Sequence, residues 1–257
     1  MSDTIQIICN ILKAGNIENF RQEARWIMED AGNPETAVNI AQQRAAGAPL
    51  QYLLGTAPFR NLMLKVDPRV LIPRPETELL AQWLIDHAPY SGDILDLGCG
   101  SGAIAIAAAT ERNDLHVTAA DISPDALTLA RENAALCGAN NICFIQSNLF
   151  SSLTERKFDL IGANLPYVTE EEFQTLPPEV KNFEPVLALT APDNGLALIL
   201  KTIAALAGHL KPGGGAIFEL SPHQAATAAN AVEDAGFNAG IIRDFCNRER
   251  FVTATRQ

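Results

Sequence analysis

Asp93-Ile-Leu-Asp-Leu-Gly-Cys-Gly-Ser-Gly-Ala-Ile-Ala-Ile-Ala-Ala-Ala-Thr110 decides the fold, because strand, tight-turn and helix signals follow one another there without a gap. Ile94, Leu95 and Leu97 make a short apolar strand, Gly98, Gly100 and Gly102 make a turn that suits small residues, and the alanine-rich run reads as a helix. A strand that ends in such a turn delivers backbone N–H groups and a helix N-terminus to a ligand above the sheet.

The spacing narrows the ligand. The glycines run Gly98-x-Gly100-x-Gly102, with Cys99 and Ser101 between them, and not in the G-x-G-x-x-G pattern that brings a backbone against a dinucleotide pyrophosphate. Asp96, just before the turn, predicts a carboxylate near the ligand, which suits a cationic group. A second strand, Val117-Thr-Ala-Ala-Asp121, ends in an acid about 20 residues after the glycines, where a carboxylate can accept both hydroxyls of a ribose. An adenosine ligand carrying positive charge fits both acids, and S-adenosylmethionine is one. Ile142-Cys-Phe-Ile145 makes a third strand, and its continuation brings Asn148 to a position from which a side-chain amide could meet the adenine.

Composition bounds the rest. The 257 residues, 47% hydrophobic and 19% charged, supply ample material for a core, and the net charge of −11 argues against a protein that mainly grips phosphate backbones. No run approaches the roughly 18 apolar residues of a spanning helix, and Met1-Ser-Asp-Thr lacks the basic start of a signal peptide, so a cytoplasmic monomer is expected. Five scattered cysteines without a C-x-x-C pair read as reduced structural thiols, and the four separated histidines offer no metal-ligand spacing.

Along the chain, residues 1–55 read as a small helical domain. Phe20, Ala24, Ile27, Met28 and Ala31 form one apolar face, and Asn33-Pro34 caps the next helix. Residues 56–73 read as a hairpin linker with strands at Ala57-Pro-Phe-Arg, Leu62-Met-Leu-Lys-Val and Val70-Leu-Ile. Ile72-Pro-Arg-Pro-Glu-Thr-Glu78 then opens a helix with Leu79, Leu80, Trp83, Leu84 and His87 on its buried face. Two acids, an arginine and two prolines in seven residues exceed what capping needs, which gives Arg74, Glu76 and Thr77 a ligand-side role. From 74 to 257, strands alternate with helices, predicting a mostly parallel, doubly wound α/β sheet. Lys211-Pro-Gly-Gly-Gly215 is expected to separate a helix from a strand at Ala216–Leu220, and Ser221-Pro222 to open the following helix.

A second functional stretch lies at the end of the strand Phe158-Asp-Leu-Ile-Gly-Ala-Asn164. Asn164-Leu165-Pro166-Tyr167 suits a planar NH2 group: the Asn side-chain oxygen and the Leu165 carbonyl accept its two hydrogens, Pro166 holds that carbonyl, and Tyr167 offers a flat face as cover. Methyl transfer from a sulfonium needs alignment and exclusion of water more than a strong base, because the leaving group is already activated.

These stretches resemble the N5-glutamine methyltransferase family that modifies peptide chain release factors, through Pro49-Leu-Gln-Tyr52, the 72–78 motif, Asp96 to Gly102, Asp121, the tetrapeptide at 164–167 and Phe183-Glu-Pro185. The resemblance implies a Rossmann-like class I methyltransferase sheet, with the methyl donor held by Gly98 to Gly102, Asp121 and the neighbourhood of Asn148 and Asn164. It implies a glutamine amide, that of the release factor Gly-Gly-Gln loop, held by Asn164 and the Leu165 carbonyl under Tyr167, with the N-terminal helices docking the factor. Two departures stand out: Leu165 takes the place of a proline common in the family, and Asn148 and Leu149 stand where relatives often carry Asp and Trp.

Asn-Leu-Pro-Tyr is also similar to the tetrapeptide of adenine-N6 methyltransferases acting on RNA or DNA. The charge of −11, the lack of a Lys/Arg cluster and Glu170-Glu-Glu172 beside the proposed site weigh against stable nucleic-acid binding. A dehydrogenase is disfavoured by the glycine spacing and Asp96, and a non-catalytic binding module by the intact Asn164, Pro166 and Tyr167.

Overall fold

The computed structural model describes residues 2–256. Four helices come first: α1 (Ser2–Ala14), α2 (Phe20–Asp30), α3 (Pro34–Ala45) and α4 (Leu50–Leu54). Their apolar stripes face one another around Ile8, Leu12, Ala24, Ile27 and Ile40. Asn33 caps α3 by accepting from the Thr36 amide at 2.9 Å, and Gly55 ends α4 in the left-handed conformation.

A two-stranded antiparallel hairpin follows, β1 (Thr56–Phe59) and β2 (Leu62–Lys65). The expected third strand at Val70–Ile72 does not form. That segment runs without a strand partner beside the main sheet, where the Ile72 amide donates to the Glu184 carboxylate instead. Helix α5 (Thr77–His87) buries Thr77, Leu80, Ala81, Leu84 and Ile85. The expected buried His87 is exposed, stacked 4.6 Å from the half-buried Trp83 ring.

The main sheet is built from β3 (Asp93–Leu97), α6 (Ala103–Glu111), β4 (His116–Asp121), α7 (Pro124–Leu136), β5 (Ile142–Gln146) and β6 (Phe158–Ala163). Short helices α8 (Glu170–Thr175) and α9 (Pro178–Phe183) precede α10 (Ala197–His209), β7 (Leu210–Glu219), α11 (Ala225–Asp234), β8 (Asn238–Arg243) and β9 (Glu249–Thr255). The strand order is β5-β4-β3-β6-β7-β9-β8; the first five are parallel, and β9 runs antiparallel between β7 and β8.

Two local expectations are corrected. Lys211 to Gly215 belongs to β7, where its pairing with β6 is irregular between Phe158 and Leu160, so the glycines extend the strand instead of preceding it. Ser221-Pro222 opens a single 3-10 turn, Pro222–Gln224, before α11.

Both faces of the parallel strands β3, β4 and β6 are covered, which is why they read as largely apolar runs. On β3 the side chains alternate: Ile94 packs into the cluster beneath α5, α6 and α7, whereas Leu95 and Leu97 enter the cluster beneath α10 and α11. Asp96 therefore points to the α6 side. Among the described residues, no helix is long and apolar enough to cross a membrane.

Candidate active site

The strand order reverses direction between β3 and β6, and open α/β sheets place ligands outside the carboxyl ends of the strands at such a point. A cavity of about 530 Å³ lies there. Its walls include Gly98 to Ser101, Asp121, Asn148, Asn164 to Pro166, and Arg74 and Thr77. The chain thus brings the glycine turn, the second-strand acid and the tetrapeptide to one space.

The turn is shaped by two facts. Gly98 has φ +80°, a conformation that side chains strain to adopt, and a Cβ there would sit 2.8 Å from Leu165 Cδ2 and press on that side chain's end. The Gly98 and Cys99 amides both donate to the Ala120 carbonyl, at 2.7 and 3.0 Å, which binds the turn to the end of β4. Gly100 faces open space and lines the cavity, while Gly102 faces Ile106 and Ala130 and serves the packing of α6 on α7. Cys99 is buried, and that burial raises its thiol pKa well above the usual range, so it contributes packing and backbone, not a reactive sulfur.

Asp121 ends β4 with both carboxylate oxygens engaged. One accepts from the Gly100 amide and the other from the Ser123 amide, each at 2.9 Å. A carboxylate has about four acceptor positions, so two remain for hydroxyl groups. Burial raises its pKa against these bonds. Asp96 lies elsewhere than expected: it is fully buried beneath the turn and does not line the cavity. One of its oxygens accepts from the Ala105 amide at 3.0 Å, the other has no partner, and burial pushes its pKa up to about 7.

The tetrapeptide is held from behind. Asn164 Nδ2 donates to Thr77 Oγ1 at 3.0 Å, and Thr77 in turn donates to Glu219 at 2.7 Å. Glu219, at the end of β7, is fully buried, and desolvation raises its pKa. Tyr167 does not line the cavity; its hydroxyl lies 3.4 Å from Glu219 and receives a hydrogen bond from Arg250 at 3.1 Å. Burial pushes the Tyr167 pKa up to about 12. Gln224 donates to the Tyr167 carbonyl at 2.9 Å and fixes the chain as it leaves the site.

The 72–78 segment divides. Arg74 and Thr77 reach the cavity, but Glu76 does not; it precedes α5 and accepts from Arg248 at 3.0 Å. Arg74 pairs with the buried Glu184. Neither Glu184 nor Glu219 emerged as a site residue from composition or spacing, although an acid inside the apolar run Ala216-Ile-Phe-Glu-Leu220 was a signal that could have found Glu219.

Comparison with known proteins agrees with this geometry. Residues 75–177, from α5 through the glycine turn and the tetrapeptide, match the methyltransferase small domain family. A release factor glutamine methyltransferase of Fusobacterium nucleatum is 39% identical over 99% of this chain and 73% of its own length. Another, from Deinococcus radiodurans, is 40% identical over 84% of this chain and 77% of its own length. The chain belongs to the release factor glutamine methyltransferase family.

A solved methyltransferase from Pyrococcus furiosus superposes with a TM-score of 0.59 at 18% identity, covering 75% of this chain and 88% of that one, and supports the Rossmann-like fold. As in other class I methyltransferases, S-adenosylmethionine is the cofactor of this release factor glutamine methyltransferase family member. The residues fit that molecule: Asp121 has acceptors to spare for hydroxyls, and Gly100 leaves backbone open to the cavity. Leu165, where the family pattern has proline, is buried with its side chain against Gly98.

Proposed function

We propose that this chain methylates the side-chain amide nitrogen of the glutamine in the Gly-Gly-Gln loop of peptide chain release factors, with Asn164 and the Leu165 carbonyl holding that amide. The observation that carries the assignment of residues is the bond from Asn164 Nδ2 to Thr77. With its NH2 end turned to Thr77, the end of the amide that Asn164 turns away from Thr77 is its carbonyl oxygen, an acceptor for a substrate N–H.

S-adenosylmethionine supplies a methyl group on a cationic sulfur that leaves as a neutral thioether. Asn164 and Leu165 fix the glutamine NH2 so that the nitrogen lone pair can form the new bond to carbon. The surplus N–H proton passes to water, since the methylated nitrogen is strongly acidic. Asp121 would accept from the ribose hydroxyls, and the glycine turn would hold the remainder of the donor. Residues 1–55 form a helical domain that docks the release factor, 56–73 link it to the catalytic domain at 74–257, and the protein works as a cytoplasmic monomer.

The test is incubation of the protein with labelled S-adenosylmethionine and purified release factor, beside a factor whose loop glutamine is replaced. Label on the unmodified factor alone is expected. Label on RNA or DNA instead would replace this reading with adenine methylation. Asn164→Ala should abolish transfer and leave donor binding intact.

A further inference from the structure

The amide of Asn164 can face the cavity with either end. Its oxygen would accept from a substrate NH2, whereas its own NH2 would repel one, so methyl transfer to an amide requires one of two orientations that are nearly equal in shape. The chain must contain something that chooses.

Behind Asn164 lies a short buried relay. Thr77, 5% exposed, opens α5 beside Asn164 at the cavity wall, and Glu219, 0% exposed, ends β7 next to it. The Thr77 hydroxyl has one proton, and it gives that proton to Glu219 at 2.7 Å. While Glu219 is ionised it can only accept, so the Thr77 proton is held in that direction. What Thr77 has left toward Asn164 is a lone pair, which only the NH2 end of Asn164 can satisfy, at 3.0 Å. Arg250 stands on the opposite side of Glu219, 3.8 Å from its carboxylate, and supports the negative charge. Three elements that are remote in sequence, at 77, 164 and 219, therefore pass one polarity to the cavity.

We infer that Thr77 and Glu219 are positioning residues for methyl transfer, which set the Asn164 amide with its oxygen toward the substrate. The inference rests on the functional reading above and adds to it two residues that act through Asn164. It also separates Thr77 from a simple lining role. The conversion of Glu219 to its amide is the informative change. Gln at that position keeps the shape but can donate to Thr77, which frees the Thr77 proton to point at Asn164 and favours the opposite orientation.

The experiment uses the full-length chain, purified release factor and labelled S-adenosylmethionine, with Thr77→Val, Thr77→Ser and Glu219→Gln beside wild type. Turnover, KM for the factor, donor affinity by calorimetry and thermal unfolding are measured for each. Thr77→Val and Glu219→Gln should lower kcat about 10- to 100-fold, as misplacement of a reacting group does, and Glu219→Gln, at a residue that does not line the cavity, should leave KM and donor affinity unchanged. Thr77→Ser, which keeps the hydroxyl, should restore turnover. If Thr77→Val fails to fold, the isosteric Glu219→Gln decides. Wild-type kcat in Glu219→Gln, or equal losses in Thr77→Val and Thr77→Ser, overturns the inference while the functional reading stands. Absence of label with the wild-type chain overturns the functional reading itself.

Discussion

Glu184, whose side chain is 1% exposed, pairs with Arg74 at the edge of the cavity and also accepts from the Ile72 amide at 3.2 Å. One buried carboxylate thus holds the segment before α5, which has no strand partner, against the segment that follows α9. The same acid explains why Pro-Arg-Pro and Phe-Glu-Pro, more than 100 residues apart, both belong to the site.

Glu184→Ala should therefore loosen the cavity wall. Loss of its two hydrogen bonds is expected to cost about 1–3 kcal/mol, the smaller end being set by the part of Arg74 that already reaches solvent. Urea denaturation reads this directly, and an unchanged midpoint would show that the pair does not brace the segment.

Asp121→Ala should weaken the donor about 10- to 100-fold, the loss expected for hydrogen bonds from hydroxyls to a charged acceptor. Calorimetry with S-adenosylmethionine decides the point. Unchanged affinity would remove the ribose from Asp121 and leave it a role only in holding the Gly100 and Ser123 amides.

Asp96 predicts a pH dependence of the free protein. Its carboxyl keeps a proton up to about pH 7 when folded, against an ordinary value of 3.8. Across that window the folded chain binds more protons than the unfolded one, so stability falls as pH rises through it. Asp96→Asn retains an acceptor for the Ala105 amide and carries no charge. Its stability curve in urea between pH 4 and pH 8 should therefore lack that decline, and curves of equal slope would refute the assignment.

Gly195→Ala should be among the most damaging single-atom additions in the chain. Its φ is +78°, and a Cβ would lie 1.9 Å from the Tyr167 carbonyl oxygen and 2.5 Å from Gln224 Nε2. Relief requires moving the chain just after the tetrapeptide, so a destabilisation of about 1–3 kcal/mol in thermal unfolding should come with reduced turnover. A variant as stable and active as wild type would mean that the loop yields freely.

The legible parts of this protein were those written in local pattern. The strand-turn-helix at 93–110, the acid ending β4 and the tetrapeptide ending β6 each sit within a few residues of their own signals, and the structure places Gly98, Asp121 and Asn164 around one cavity. Glu219 and Glu184 were not legible in this way because their partners, Thr77 and Arg74, are remote in sequence and meet them only through the strand order. Asp96 illustrates a third case. Its position in the motif was clear, but the alternation along β3 turns it under the turn, and no spacing rule distinguishes a carboxylate beside a ligand from one beneath it. Helices α8 and α9 escaped notice because they are six residues each, too short for a periodic signal.

The seat of β9 has a consequence for how the molecule is made. Because this strand slots between β7 and the edge strand β8, the outer backbone edge of β7 stays uncovered until residues 249–255 have been synthesised. Phe251 and Val252, both fully buried, are then the last large side chains to enter. A nascent chain interrupted before them would expose an apolar cleft and a strand edge, so the quality-control machinery of the cell would meet an unfinished protein, not a shortened one.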